Sequence, residues 1–190
     1  MQREKIFLVI WCILLPLFLL LLSYKLTLAF SFLTPAQDNV FQFLDGNEKL
    51  NQNYTATEIS HLEDVVRVMN GANIFWYASG TIILILSFYF WKDKEQLQKA
   101  LRYGGMATVA FIAVILMAIL VGFEEVFTLF HLLFFPQGNW QFAADSLLIQ
   151  TFPLDFFIMM GRRIFMLALA FGVMLISTAY LMKKKMKIKN

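Results

Sequence analysis

The chain is short of the residues from which most catalytic and metal sites are built. It has one cysteine and two histidines in 190 residues. Cys12, set among apolar neighbours, excludes an internal disulfide and a cysteine-based metal site, and suits packing or lipid contact. No His-Glu-x-x-His stretch is present, and two histidines with a carboxylate would have to come together from unrelated segments, so no metal is expected. No Gly-x-Ser-x-Gly elbow occurs, and Ser60, beside His61, is better used as a helix cap, which leaves no ready nucleophile. Charge is scarce too. Charged residues make up 15% of the chain against 59% hydrophobic and 16% aromatic, a composition that excludes a water-soluble globular domain. The net charge of +3 is spread along the chain and not gathered on one face, so no nucleic-acid partner is implied. No internal repeat or low-complexity tract is visible.

What is present is long apolar sequence. Crossing about 30 Å of hydrocarbon takes roughly 20 residues, and four stretches qualify: 6–33, 72–91, 104–123 and 164–182. The expected fold is therefore an all-α membrane protein, a bundle of four transmembrane helices in a single domain over 1–190. Lys25 interrupts the first stretch near its end, where a long side chain can reach the headgroups. Arg3 and Lys5 precede the first span, Lys92, Lys94, Lys99 and Arg102 fill the second connection, and five lysines close the chain between Lys183 and Lys189. That distribution predicts cytoplasmic termini and a cytoplasmic middle loop in a bacterial cytoplasmic membrane. The first span has some features of a cleaved signal, with Ala29-Phe30-Ser31 as a cleavage site. Its length and the even number of spans favour keeping it.

Two outer segments remain, about 34–71 and 124–161, and they hold ten of the thirteen acidic residues. In the first, Ser60-His61-Leu62-Glu63 has the pattern of a capping box, predicting a helix from near Ser60 that runs on into the second span. Arg67, Asn70, Asn73 and Tyr77 would form a polar stripe along it. The second, "FEEVFTLFHLLFFPQGNWQFAADSLLIQTFPLDFF", is too apolar for a soluble loop and too interrupted for a span. It reads as interfacial or re-entrant helices, and its Pro136-Gln137-Gly138-Asn139 turn must be buried in protein or line a wet cavity.

Both histidines fall in these outer segments. His131 shares a helical face with Thr128 and Glu124, so the carboxylate could orient the ring. His61 has Asp64 one turn along. Two such rings at one site would make an acid and base pair with ordinary pKa near 6.5, suited to proton transfer at neutral pH. Either ring alone would equally serve as an interfacial or solvated histidine. Arg162 and Arg163, on the outer side, break the charge rule; they could hold a lipid headgroup, pair with Asp155 or simply reach the interface. Trp140, Trp76, Tyr77 and the phenylalanines near 130 and 156 suit an aromatic belt. Glu124-Glu125 followed by His131 is similar to part of the pattern of membrane prenyl-protein proteases, but Leu129 stands where that family has arginine, and its further histidine is absent.

His131 with Phe134-Phe135, Gly138, Trp140, Phe142, Asp145, Leu147-Leu148-Ile149, Phe152-Pro153 and Phe156-Phe157, together with His61-Leu62-x-Asp64-Val65 before the second span, resembles the bacterial lipoprotein intramolecular transacylases. The resemblance extends over the four-span layout with both motifs outside. It implies an acyltransferase of the outer leaflet, acting on diacylated lipoproteins within membrane lipid and needing no cofactor. The family moves the sn-2 acyl chain of the S-diacylglyceryl group to the α-amino group of the N-terminal cysteine, giving an N-acyl lyso-lipoprotein. Its two functional histidines carry over to His61 and His131.

Attack of that amine closes an eight-membered ring, so most of the help a protein can give is to hold amine and ester together. The step needs a base, a proton donor for the leaving glycerol oxygen, and donors for the oxyanion. The resemblance implies His131 as base oriented by Glu124, and His61, beside Asp64, as donor or oxyanion partner, with the two roles exchangeable. Asn139 and Asn70 would help, while Trp140, Phe134, Phe135 and Arg162 would meet substrate or lipid. Two other readings stay open: a non-enzymatic accessory or assembly partner with an outer docking segment, and an intramembrane protease.

Overall fold

The computed structural model describes residues 2–189, the side chain of Lys189 excepted. Its helices are α1 (Gln2–Ala29), α2 (Pro35–Leu44), α3 (Ala56–Trp91), α4 (Lys94–Val121), α5 (Phe123–Phe134), α6 (Leu147–Thr151) and α7 (Leu154–Lys189), with no strand among the described residues. α1, α3, α4 and α7 are long and apolar enough to cross a membrane. The protein is an all-α, multi-pass membrane protein built on these four.

In lipid, apolar side chains gain little by leaving the tails for a neighbouring helix, so association rests on close packing. α4 and α7 make the most extensive pairing, and they approach through glycine. A Cβ on Gly105 would stand 2.7 Å from the Gly172 carbonyl oxygen, and one on Gly172 would stand 2.9 Å from a Val109 methyl. Around them the bundle core joins Trp11, Leu15 and Leu19 of α1 to Ile83, Leu86 and Phe90 of α3 and Ala100 of α4. The Trp11 indole donates to the Ala100 carbonyl at 2.9 Å, satisfying a polar group that lipid could not. The Lys25 ammonium donates to Asn73 Oδ1 at 2.6 Å and lies 5.1 Å from the Trp76 ring centre, tying α1 to α3.

A second, smaller core caps one end of the bundle. Val40 and Leu44 of α2, Tyr54, Leu62 of α3, Leu148 of α6 and Phe152 pack together there. Polar ties hold the same pieces. Gln37 donates to the Thr151 carbonyl at 2.9 Å, Tyr54 and Thr151 share a hydroxyl bond of 3.2 Å, and buried Asn39 organises the turn after α2 through Lys49 and Asn51.

The start of α3 departs from the sequence expectation. The capping box is Thr55 with Glu58, and not Ser60 with Glu63. Both pairs fit the same spacing, but Glu58 can do more: one carboxylate oxygen takes the Thr55 amide and hydroxyl, and the other takes the Leu148 amide at 2.8 Å. Burial alone would raise the Glu58 pKa, yet these donors hold it below the usual carboxylate value. α1 also stops at Ala29, four residues short of the expected span end, because Thr34 and Pro35 open α2 with their own capping box. α4 and α7 extend past the expected spans, to Lys94 and to Leu154 at their starts.

Candidate active site

The cap brings both histidines against one phenylalanine. His61 stands on the second turn of α3, outside the apolar stretch that begins at Ala72, and His131 near the end of α5. Phe135 is the first residue past α5, where the helix has released it to turn inward, and it is 4% exposed. Its ring centre is 4.7 Å from that of His61 and 5.7 Å from that of His131. The histidine rings therefore cannot be further apart than those two distances combined. Phe142 closes over His61 at 5.5 Å, while Trp140 and Phe127 lie against His131 at 4.6 and 4.1 Å.

His131 Nδ1 bonds the Phe127 carbonyl, four residues back, at 2.8 Å. A carbonyl oxygen can only accept, so Nδ1 carries the proton and Nε2 keeps its lone pair. This corrects the expected role of Glu124. No hydrogen bond or ion pair joins Glu124 to the ring among the described residues, because the ring nitrogen it would hold is already taken by the local backbone. Glu124 and Glu125 instead occupy the first turn of α5, where negative charge complements the free amides of a helix start that has no side-chain cap.

Asp64 likewise takes a different position from the one expected beside His61. It is 4% exposed, and its carboxylate accepts from Gln137 and, at 2.7 Å, from Asn139, while Arg67 pairs with it from one turn along α3. Asn139 also donates to Ser60 Oγ at 3.1 Å. The Pro136 to Asn139 turn, in which Gly138 takes the left-handed conformation at φ 79°, is thus fastened onto α3 beside His61. Gln137 is the member of this network that the sequence did not disclose; its partner lies 73 residues away, and no local pattern announces it.

Burial first, and then the charge that His131 would carry, push the His61 pKa below its ordinary value of 6.5, with the Asn139 side chain pulling it partly back. His61 Nδ1 and Asn139 Oδ1 are nonetheless buried without a hydrogen bond of normal geometry, and so is Trp140 Nε1.

Several expected residues stay outside the pair. Asn70 is exposed further along α3 and makes no bond to the cluster among the described residues. Phe134 is 41% exposed and packs on Phe130 at 4.9 Å. Arg162 is exposed and forms no ion pair with Asp155 among the described residues, whereas its neighbour Arg163 reaches Ser31 Oγ at 3.4 Å. No group of three or more His, Cys, Asp or Glu side chains comes together among the described residues. The arrangement offers one free imidazole nitrogen, a second imidazole kept neutral, and unmatched polar atoms, all lined by aromatic rings.

Comparison with known proteins completes the description. The family model for lipoprotein intramolecular transacylase Lit matches residues 32–157. An uncharacterized protein of Aquifex aeolicus (strain VF5) is 25% identical over 144 residues, 72% of this chain, and the chain spans 61% of that relative's length. Among solved structures, the membrane integral lipoprotein intramolecular transacylase Lit from Bacillus cereus superposes with a TM-score of 0.85 at 19% identity, covering 98% of this chain and 99% of that one. A variant of it carrying a histidine-to-arginine mutation gives 0.83 at 18% identity, covering 100% of this chain and 96% of that one. At such identity the likeness is one of fold.

Proposed function

The chain belongs to the lipoprotein intramolecular transacylase family, and from that premise we propose that it moves the sn-2 acyl chain of an S-diacylglyceryl lipoprotein onto the α-amino group of the N-terminal cysteine. The observation that carries this reading is that the chain's two histidines both pack against Phe135. They are 70 residues apart in sequence and the cap has no other imidazole.

His131 is the base. Its Nδ1 proton is committed to the Phe127 carbonyl, which leaves Nε2 to accept the proton that the attacking amine loses. The nitrogen lone pair forms the N–C bond while the carbonyl π pair moves onto oxygen. Collapse of that intermediate expels the glycerol oxygen, which receives the proton held on His131. One ester becomes one amide and one hydroxyl, with no water consumed and no protein nucleophile required. His61, held neutral by burial, acts as a hydrogen-bond partner to the reacting atoms. The largest contribution is proximity: packing amine and ester against Phe135, Phe142 and Trp140 removes the entropy penalty of an eight-membered ring.

Reconstituted protein and a synthetic diacylated lipopeptide test the reading directly. Mass spectrometry of the product is expected to find the total mass unchanged and one acyl chain on nitrogen. A shortened peptide would indicate a protease, and unaltered substrate across lipid compositions would leave only a non-enzymatic partner.

We place the cap on the outer face, with both termini cytoplasmic, because lysine and arginine gather at the opposite end of the bundle. In a Cys12→Ser background, Gln52→Cys in intact cells is expected to react with an impermeant maleimide and Lys94→Cys to stay unlabelled. The reverse pattern would put the histidines in the cytoplasm and defeat the assignment.

A further inference from the structure

Of the three buried atoms that lack partners around the pair, two are complementary. Asn139 Oδ1 can accept from a protonated His61 Nδ1, and the Asn139 side chain already influences that ring. The third, Trp140 Nε1, has no such complement. An indole nitrogen can only donate, and a buried donor without an acceptor is uncommon enough to need a reason. The Trp140 ring lies 4.6 Å from His131, tilted 34°, and 6.0 Å from Phe127 in an edge-on contact. Its neighbour Asn139 is fixed to Asp64 and Ser60.

The structure therefore presents an unpartnered hydrogen-bond donor, on a half-buried side chain, beside the ring that has the free lone pair, in aromatic surroundings that strengthen electrostatic contacts. We propose that the Trp140 Nε1–H is an oxyanion donor, taking the ester carbonyl oxygen of the substrate as negative charge develops on it. This rests on the transacylase reading. As the amine nitrogen bonds to the acyl carbon, the carbonyl π pair moves to oxygen and the bond to the indole N–H shortens. When the carbon–glycerol bond breaks, the pair returns and the contact relaxes. The indole keeps its proton throughout; the proton that moves passes from nitrogen through His131 to the glycerol oxygen. The assignment gives Trp140 a catalytic part beyond that of an aromatic wall, because the contact is stronger in the transition state than with the resting ester.

Two replacements separate the N–H from the ring. Trp140→Phe keeps an aromatic face and loses the donor. Benzothienylalanine at 140, introduced by codon suppression, keeps the shape and puts sulfur where the N–H was. Both are expected to lower kcat for N-acylation of the synthetic lipopeptide about 10²–10³-fold, with KM within a few-fold and the unfolding temperature in detergent unchanged. If the sulfur isostere retains wild-type kcat, the donor role is overturned while the transacylase reading stands. If the wild-type protein itself yields no N-acyl product, the reading beneath both has failed. Loss of rate in the phenylalanine variant alone would likewise overturn the proposal, since ring size would then be what matters.

Discussion

Replacing His131 by alanine is expected to cut the rate of N-acyl transfer by about 10²–10⁴-fold, the range that a positioned general base supplies, while the protein still inserts and keeps its helices. The separation of chemistry from folding follows from where His131 sits. α5 has no buried residue along its length, so the cap core of Val40, Leu44, Tyr54, Leu62, Leu148 and Phe152 does not lean on it. What the substitution removes is a single imidazole whose orientation is set by the Phe127 carbonyl at 2.8 Å. Glutamine at 131 should fare no better, since an amide can hold a hydrogen bond but cannot take up a proton at neutral pH. His61→Ala is expected to lower the rate as well, and the double variant to be no slower than the worse of the two, as for groups that act on one proton as a unit. Single-turnover mass spectrometry of the lipopeptide measures all four. A His131→Ala rate within three-fold of wild type would end its assignment as the base.

The features the sequence disclosed are those set by the solvent. A hydrocarbon layer demands long apolar helices, and four of them can be counted without knowing any contact. The cap is governed by contacts, and there local patterns compete. Thr55-Ala-Thr-Glu58 and Ser60-His-Leu-Glu63 both have capping spacing; the winner is the pair whose glutamate also meets Leu148 across the fold, which no local window contains. Glu124 lies on the right helical face for His131, but a backbone carbonyl four residues back is closer and always present. Asp64 has the spacing of a partner for His61 along α3, but its carboxylate is taken by Gln137 and Asn139 of the 136–139 turn and by Arg67. Phe134 and Phe135 look alike in sequence, yet the end of α5 falls between them, leaving one against Phe130 and turning the other onto both histidines. The presence of two histidines outside the apolar stretches was therefore legible, and the means of holding them together was not.

That holding is the work of Asp64, and its replacement by alanine is the second large effect expected. Asp64 sits on α3 one turn past His61, nearly fully buried, and it is the point where the turn carrying Gln137 and Asn139 meets the helix carrying His61. Removing the carboxylate takes away the oxygen that Gln137 and Asn139 share and leaves Asn139 only its bond to Ser60. The turn has little else to replace it: Gly138 has open space beside it, Pro136 is exposed, and a further tie is the Asn139 contact with Ser60. Trp140 and Phe135 flank this turn, so the wall behind both histidines loosens with it. A misplacement of about 1 Å between catalytic groups can cost 10²-fold in rate, and a loss of that order is expected for Asp64→Ala, with faster amide hydrogen exchange over 135–146. Arg67→Ala serves as the contrast. Its side chain is 71% exposed and makes no hydrogen bond to the turn among the described residues, so the rate should fall only a few-fold. Asp64→Asn, which keeps one acceptor oxygen, should lie between them. The coupling between Asp64→Ala and Asn139→Ala decides whether the turn is the route: if the two losses simply multiply, Asp64 acts elsewhere, and if the second adds little to the first, the carboxylate works through the turn that it fastens.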